Sequence, residues 1–302
     1  VRPTLMCSVP RFWEKVYAGV NEKITSESGF KRKLMLDAIL VGKIHNVDYL
    51  RVGKRPPLGI RLKYMFYEKT VYALLKKTIG LENGKFFPVA GAAVPDEICE
   101  FCHAVGINMK VGYGLTESCA TVSCFPDDSF ELGSVGKIMP DVQVKIGENN
   151  EILLRGKTIT TGYYKKAEET AKAFDAEGWF HTGDAGYIKD NYLYLTERIK
   201  DLFKTSNGKY ISPQALETKL GIDRYIDQIA IIADQRKFVS ALIIPAYEVL
   251  EAYAKEQGIA YENMEQLLAD EKIQTLYRTR IDTLQQQFAH YEQVKRFTLL
   301  PE

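Results

Sequence analysis

The sequence predicts an α/β chain in two parts: a large body with a parallel βαβ sheet and a β-rich section, then a small α+β unit. Three observations predict it. A short strand, an amphipathic helix and a second strand follow one another between residues 86 and 111, the signature of parallel strands joined by a crossover. From about 132 to 197 the apolar residues alternate and are punctuated by turn residues. Beyond that lie two buried-strand runs and one long apolar helical stripe. At about 100–200 residues per domain, 302 residues also favour two domains. The division falls in the polar stretch Arg198–Asp201, giving 1–198 and 199–302.

The first eighty residues read mainly as helix. Ser8 can cap, Pro10 suits a first turn, and Phe12, Val16 and Val20 recur at helical spacing, as do Phe30, Leu34, Ala38 and Val41. Phe86–Ala90 is a strand ending at Gly91. A helix opens with Pro95-Asp96-Glu97, aligns Val94, Ile98, Phe101 and Val105, and stops at Gly106. Ile107–Val111 is the next strand and runs into Gly112. Val142, Val144 and Ile146 alternate, Gly147–Asn150 turns, and Ile152 and Leu154 alternate again, forming a hairpin. Tyr187–Lys189 and Tyr192–Leu195 flank Asp190-Asn191 as a second hairpin, and Asn207-Gly208 is a third candidate turn. In the last hundred residues, 229–232 and 241–244 are strands. Ile273, Leu276, Tyr277, Ile281, Leu284 and Phe288 stripe a long helix.

Composition narrows the function. Forty Lys/Arg against 39 Asp/Glu leave a net charge of +1, so no overall field selects nucleic acid as a partner. No apolar run reaches a membrane span, and no charged-then-apolar leader is seen. Five cysteines suit a reducing compartment, so a cytoplasmic protein is expected. Charge is uneven along the chain. Residues 31–63 hold nine Lys/Arg and two Asp, whereas 247–293 hold nine Asp/Glu and four Lys/Arg. A solvated face is the ordinary reading of each. The basic stretch also fits peripheral contact with anionic lipid or a polyphosphate. The chain opens at Val1-Arg2-Pro3 and closes at Leu300-Pro301-Glu302, and both ends read as cuts through a longer protein.

Several segments could carry chemistry. Gly112-Tyr113-Gly114-Leu115-Thr116-Glu117-Ser118 follows the second parallel strand, where ligands of open α/β sheets bind. Its aromatic ring, hydroxyl and carboxylate could stack a base, bond a phosphate oxygen and hold Mg²⁺; a Gly-rich turn with an exposed Glu is the equal alternative. In Trp179–Asp184, a carboxylate beside Gly183 could accept two bonds from a ribose diol, although alone a turn aspartate is commoner. His181 reads as structural, since no partner carboxylate is evident. Arg198, Lys200 and Lys204 cluster cations at the domain boundary, as a switch or as an ordinary charged linker. Thr205–Lys209 and Thr158–Tyr163 lack phosphate-loop spacing. Cys99-Glu100-Phe101-Cys102-His103 matches haem attachment in spacing but sits inside a helix without support elsewhere, and zinc would need two more ligands. Cys7, Cys119 and Cys124 read as small buried hydrophobes.

Taken in order, four segments resemble the AMP-forming acyl-CoA synthetase (adenylate-forming) superfamily: Val89–Val94, Gly112–Ser118, Thr182-Gly183-Asp184 and Glu197–Lys204. The wording of Asp201–Lys204 and Asn207–Pro213 is similar to the long-chain fatty-acid branch, and the resemblance covers nearly the whole chain. It implies the C-terminal part of the large adenylate-forming domain followed by a small lid domain. It further implies a fatty acid, ATP and coenzyme A as substrates, Mg²⁺ as metal, and an acyl-adenylate from which the CoA thiol displaces AMP. By the same resemblance Gly91-Ala92 lies along adenine, Tyr113, flanked by Gly112 and Gly114, stacks on it, Thr116 bonds the α-phosphate and Glu117 holds Mg²⁺. Asp184, assisted by Arg198, takes the ribose hydroxyls, Lys200 is the hinge of the lid, and Gly208 falls where a lid loop meets the CoA arm.

The sequence departs from the family pattern at Ala90, where glycine is usual, and at Ala93, where proline is common. The family's phosphate loop and its lid lysine have no counterpart in these 302 residues, so full activity is expected only of a complete parent chain. An adenylating enzyme with another carboxylate or acceptor, and a non-catalytic nucleotide-binding module, are the competing readings.

Overall fold

A computed structural model of the chain describes residues 2–119, 121–127, 129–199, 202–206 and 208–301. The chain packs as two compact units, Val1–Thr196 and Glu197–Glu302.

The first unit opens with helices α1 (Pro10–Ser26), α2 (Gly29–Gly42), α3 (Leu58–Tyr67) and α4 (Ala73–Thr78). Pro10 takes the first turn, where its missing N–H costs nothing. Ser8 does not cap the helix: Val9 is the N-cap and bonds through no side chain, while the Ser8 hydroxyl accepts the Trp13 indole N–H at 2.8 Å. The inward face is rotated from the centre of the expected stripe toward Trp13 and Ile24. Trp13 and Ile24 are buried, Phe12 is exposed, and Val16 and Val20 are half-buried. The indole offers the larger apolar area together with an N–H that must find an acceptor, so its register wins. It sets its ring edge-on to Phe87 at 5.6 Å. In α2, Ala38 and Val41 pack inward as the spacing predicts, but Phe30 is left exposed on the first turn.

Strand β1 (Phe87–Val89), helix α5 (Asp96–Ala104) and strand β2 (Met109–Tyr113) form the predicted βαβ unit. β1 and β2 run parallel, with Val89 beside Val111. Pro95 is the N-cap of α5, and Asp96 and Glu97 lie in its first turn, where the helix dipole favours negative charge. Ile98, Phe101 and Val105 are buried, and Gly106 ends the helix with φ +72°. Cys99 and Cys102 are buried on the same helix, and burial pushes the Cys99 thiol up to about 12 and Cys102 well above its ordinary value, so neither is a ready nucleophile. Cys7 and Cys119, expected inside, are exposed: Cys7 lies in an extended segment beside β1, and Cys119 sits at φ 50° in the turn that closes a short 3₁₀ segment.

His103, at the end of α5, stacks flat on Phe130 with centroids 3.7 Å apart, and its Nε2 has no hydrogen-bond partner among the described residues. Burial, reinforced by the Lys110 charge, pushes its pKa down to about 3. The unfolded chain therefore binds this proton below about pH 6.5 while the folded chain does not, and stability falls as the pH drops from about 6.5 toward 3. We expect this single group to contribute a slope of at most about 1.4 kcal/mol per pH unit in that window. His103→Phe should flatten it in denaturant titrations between about pH 7 and 4.5; an unchanged slope would assign the acid sensitivity to other groups.

The β-rich section continues the same sheet rather than forming one of its own. Its strands are β3 (Ser123–Cys124), β4 (Lys137–Ile138), β5 (Val142–Ile146), β6 (Glu151–Gly156), β7 (Phe180–Lys189) and β8 (Tyr192–Arg198), with α6 (Ala167–Ala173) between β6 and β7. The eight strands are ordered β1-β2-β3-β4-β8-β7-β6-β5. β2 pairs antiparallel with β3, so the sheet is mixed. The predicted β5–β6 hairpin forms with Ile146 opposite Ile152. Asp190 and Asn191 both adopt positive φ (52° and 64°), the left-handed pair that a two-residue hairpin loop requires. Val122, Val142, Ile152, Leu154, Phe180 and Leu193 form a core cluster that includes Tyr113.

The second unit begins with the short antiparallel pair β9 (Phe203–Lys204) and β10 (Tyr210–Ile211), followed by α7 (Pro213–Leu220). β11 (Ile226–Ile232) and β12 (Val239–Pro245) contain the predicted runs and pair antiparallel. Helices α8 (Tyr247–Glu256), α9 (Met264–Ala269) and α10 (Glu271–Leu284) lead to β13 (Val294–Leu299), which lies parallel to β12. α10 buries Ile273, Tyr277 and Ile281, and Phe288, beyond its end, packs on the same core. Among the described residues no helix is long and apolar enough to cross a membrane.

Candidate functional site

Because β1 and β2 are parallel neighbours, their carboxyl ends lie at one edge of the sheet, and both glycine-containing segments leave from it. Gly91 follows β1 with φ +92°, a conformation that L side chains rarely adopt. The space around it is open, the nearest atom to an added Cβ being Val9 Cγ1 at 4.0 Å, so backbone conformation rather than crowding asks for glycine there. Ala92 follows it and is exposed. In β2, Gly112 sits where an added Cβ would meet the Ser123 carbonyl at 3.0 Å.

Past Tyr113 and Gly114, Thr116–Ser118 turns as a 3₁₀ segment. The Ser118 hydroxyl, fully buried, accepts from the Leu115 N–H at 2.9 Å and donates to the Leu115 carbonyl at 3.0 Å. This closure fixes the turn, leaving Thr116 exposed and Glu117 half-buried. The Glu117 carbonyl accepts the Thr160 N–H at 2.7 Å, and its carboxylate accepts the Tyr163 hydroxyl at 2.8 Å. Burial, and then the carboxylate it bonds, raise the Tyr163 pKa, so at neutral pH the phenol stays protonated and donates. The loop around Thr158–Tyr163, which lacks phosphate-loop spacing, thus serves to hold Glu117.

Asp184 reaches the same region from β7. The pairing of β7 with β6 slips between Glu151–Ala185 and Leu153–His181, a bulge, and Gly183 takes φ +73° inside it. A bulge bends a strand and re-aims the side chain beside it. Here Asp184 is buried and accepts the Tyr113 hydroxyl at 2.6 Å. The Thr182 hydroxyl accepts the Asp184 N–H at 3.0 Å and donates to the Ile152 carbonyl at 2.7 Å. Glu151 braces the bulge from β6. Its Oε1 accepts the Gly183 N–H at 2.9 Å and its Oε2 lies 2.8 Å from His181 Nδ1. His181 therefore has the carboxylate partner that the sequence did not reveal.

Tyr113 and Asp184 are accordingly brought together in the first unit, Glu117 stands four residues beyond Tyr113 on the turn, and Gly91 and Ala92 leave from the same end of the parallel pair. Arg198 closes β8 and belongs with the second unit. Gly208, also in that unit, takes φ +75° and donates its N–H to the Thr205 carbonyl at 2.9 Å. Lys200, the expected hinge, lies outside the described residues. Glu151 lies in none of the segments the sequence marks, and Tyr163 ends the Thr158–Tyr163 segment, whose spacing carries no signal for this role. Their partners are 30 and 46 residues away, and no local pattern marks them.

A mixed sheet that carries a parallel pair of strand ends, and a bulged strand in the same sheet joined to them by a buried tyrosine–aspartate bond, is an α/β body. The fold matches the adenylation domain of a carboxylate reductase from Mycobacterium chelonae, with a TM-score of 0.68 at 19% identity, over 99% of this chain and 41% of that one. It also matches an anthranilate CoA ligase in complex with anthranoyl-AMP, with a TM-score of 0.61 at 17% identity, over 100% of this chain and 46% of the other. The AMP-binding enzyme family model matches residues 1–164, more than half of the chain, and the chain belongs to that family. Among curated relatives, a putative fatty-acid–CoA ligase of Mycobacterium tuberculosis is 32% identical over all of this chain and 53% of its own length. The long-chain-fatty-acid–CoA ligase 1 of Saccharomyces cerevisiae is 32% identical over 90% of this chain and 40% of its own. The peroxisomal long chain acyl-CoA synthetase 7 of Arabidopsis thaliana is 28% identical over 100% and 44%. The chain spans about half the length of the curated relatives it matches.

Proposed function

We propose that this chain is part of a long-chain fatty acid–CoA ligase, in which a fatty acid carboxylate attacks the α-phosphate of ATP and the CoA thiol then displaces AMP from the acyl-adenylate. The observation that carries the reading is the 2.6 Å bond from the Tyr113 hydroxyl to Asp184, with Glu117 four residues further along the same turn. The three sequence relatives described above are fatty-acid or long-chain acyl ligases, which favours a fatty acid over an aromatic carboxylate such as anthranilate.

In this reading the Tyr113 ring, packed in its apolar cluster and pinned through its hydroxyl, is the platform for adenine. Asp184 accepts from the ribose hydroxyls, with Arg198 assisting, and the bond from Tyr113 holds its carboxylate in orientation before the nucleotide arrives. Thr116, exposed on the 3₁₀ turn, donates its hydroxyl to an α-phosphate oxygen. Glu117 is a hard oxygen donor oriented by Tyr163, a donor type that suits Mg²⁺, which takes one or two carboxylates together with phosphate oxygens. When bound there, Mg²⁺ would offset the negative charge that repels an attacking carboxylate. Lys200 as hinge and Gly208 as part of the CoA-facing loop complete the proposed second half-reaction.

The test is ATP–pyrophosphate exchange by the full-length protein. Glu117→Gln keeps an acceptor for Tyr163 but removes the charge, and should lower exchange about 10- to 100-fold while shifting the Mg²⁺ dependence upward. Unchanged exchange would remove the metal role from Glu117. Exchange driven by an aromatic acid in preference to a long-chain one would replace the fatty acid reading with the wider one.

A further inference from the structure

The bulge in β7 is wider than a single inserted residue. Glu151 lies opposite Ala185 and Leu153 opposite His181, so Thr182, Gly183 and Asp184 of β7 all face Ile152 of β6. Backbone groups displaced from a ladder must find other partners. Two side chains supply them. The Thr182 hydroxyl accepts the Asp184 N–H at 3.0 Å, and the Glu151 carboxylate accepts the Gly183 N–H at 2.9 Å.

Glu151 is itself held at a second point. Its other oxygen lies 2.8 Å from Nδ1 of His181, and a carboxylate only accepts, so the ring donates from that nitrogen. One carboxylate thus clasps the bulge where it opens, at His181, and at its middle, at Gly183. It is 19% exposed, on a strand whose next three residues, Ile152, Leu153 and Leu154, are buried. Gly183 turns the chain at φ +73°, and Asp184 follows it directly. Fixing the Gly183 N–H therefore fixes the peptide plane one residue before the Asp184 side chain.

We propose that Glu151 is a positioning residue for the nucleotide: by holding the Gly183 peptide it aims the Asp184 carboxylate at the ribose, and so sets the preference for a nucleotide that carries its ribose hydroxyls. The proposal rests on the ribose role given to Asp184 above. A regular β6–β7 ladder would satisfy the same N–H groups without a largely covered carboxylate and without a glycine, which weakens a strand interior. Glu151, Gly183 and His181 instead maintain an irregular strand, and what that irregularity sets is the direction of Asp184. Asp184 is then fixed twice, through its carboxylate by the Tyr113 hydroxyl at 2.6 Å and through its backbone by the clasped bulge. Such double support matters because a misplacement of about 1 Å in a site can cost about 100-fold.

The experiment is equilibrium titration of the full-length protein with ATP and with 2′,3′-dideoxy-ATP, which lacks both hydroxyls, and the ratio of the two affinities is the readout. The parent should prefer ATP about 10- to 100-fold, the worth of hydrogen bonds to a charged acceptor. Glu151→Ala should reduce that preference to about threefold or less, while dideoxy-ATP binds within about threefold of its affinity for the parent. Glu151→Gln keeps an oxygen for the Gly183 N–H and should restore most of the preference. Glu151→Asp keeps the charge but shortens the arm by a methylene, and should lose the preference as alanine does; it decides the matter if the alanine variant does not fold. Partial unfolding lowers both affinities alike and leaves the ratio unchanged. A lowered melting temperature with the ratio at its parent value would make Glu151 a stabilising residue only and overturn the proposal. A parent that binds both nucleotides equally removes the ribose role from Asp184, and the proposal with it.

Discussion

Replacing Asp184 by alanine is expected to lower kcat/KM for ATP about 100-fold in the full-length protein and to cost the fold about 1–3 kcal/mol. The two effects have separate causes. A buried phenol that has lost its acceptor bears a desolvation penalty, and Tyr113 is buried with its hydroxyl 2.6 Å from Asp184. The activity loss follows from the proposed ribose contact, since hydrogen bonds to a charged acceptor contribute about 1.5–3 kcal/mol each. Asp184→Asn separates them: its amide oxygen still accepts from Tyr113, so stability should recover more than activity does. Tyr113→Phe should rescue much of the stability lost in Asp184→Ala, because the pair then loses both partners. Nucleotide binding by equilibrium titration, with unfolding by denaturant, checks both. Full ATP affinity in Asp184→Asn would take the ribose role away from this carboxylate.

Trp13→Ala should be strongly destabilising, at about 3–5 kcal/mol. The indole has no exposed surface, meets Phe87 of β1 edge-on, and gives its N–H to Ser8. Ser8 in turn donates its backbone N–H to the Pro88 carbonyl at 2.9 Å, so the ring holds the segment that runs beside β1. Trp13→Phe should cost less, because most of the apolar volume is kept. The midpoint of urea unfolding, compared at unchanged slope, measures the difference. A loss under about 1 kcal/mol for Trp13→Ala would mean that the neighbouring helix collapses into the cavity.

Much of this site was readable before the fold was known. The strand–glycine–tyrosine segment and the aspartate after glycine stand out because a parallel strand end and a positive-φ glycine each leave a local mark. Their meeting does not. Tyr113 and Asp184 are 71 residues apart, and only the order β2-β3-β4-β8-β7 and the bulge at Gly183 bring one hydroxyl to the other's carboxylate. The brace by Glu151 was hidden for the same reason, and His181 was read as lacking a partner because its carboxylate lies one strand over. The centre of the buried face of α1 is hidden for a different reason. Phe12, Val16 and Val20 satisfy the period, but periodicity weighs all apolar residues alike, whereas packing favoured Trp13, whose N–H also needed an acceptor.

The residues alone determined what is local: the βαβ unit, the hairpin turns, the glycines at strand ends and the cationic run of 31–63. These follow from backbone sterics and from periods of two and 3.6 residues, which need no knowledge of neighbours. Packing alone decided what is distant: one continuous eight-stranded sheet, the tyrosine–aspartate bond and the glutamate behind it. Pairings between strands far apart in sequence, and the burial of one helix face at the expense of another, are set by the free energy of the assembled chain, and no short window of sequence contains it.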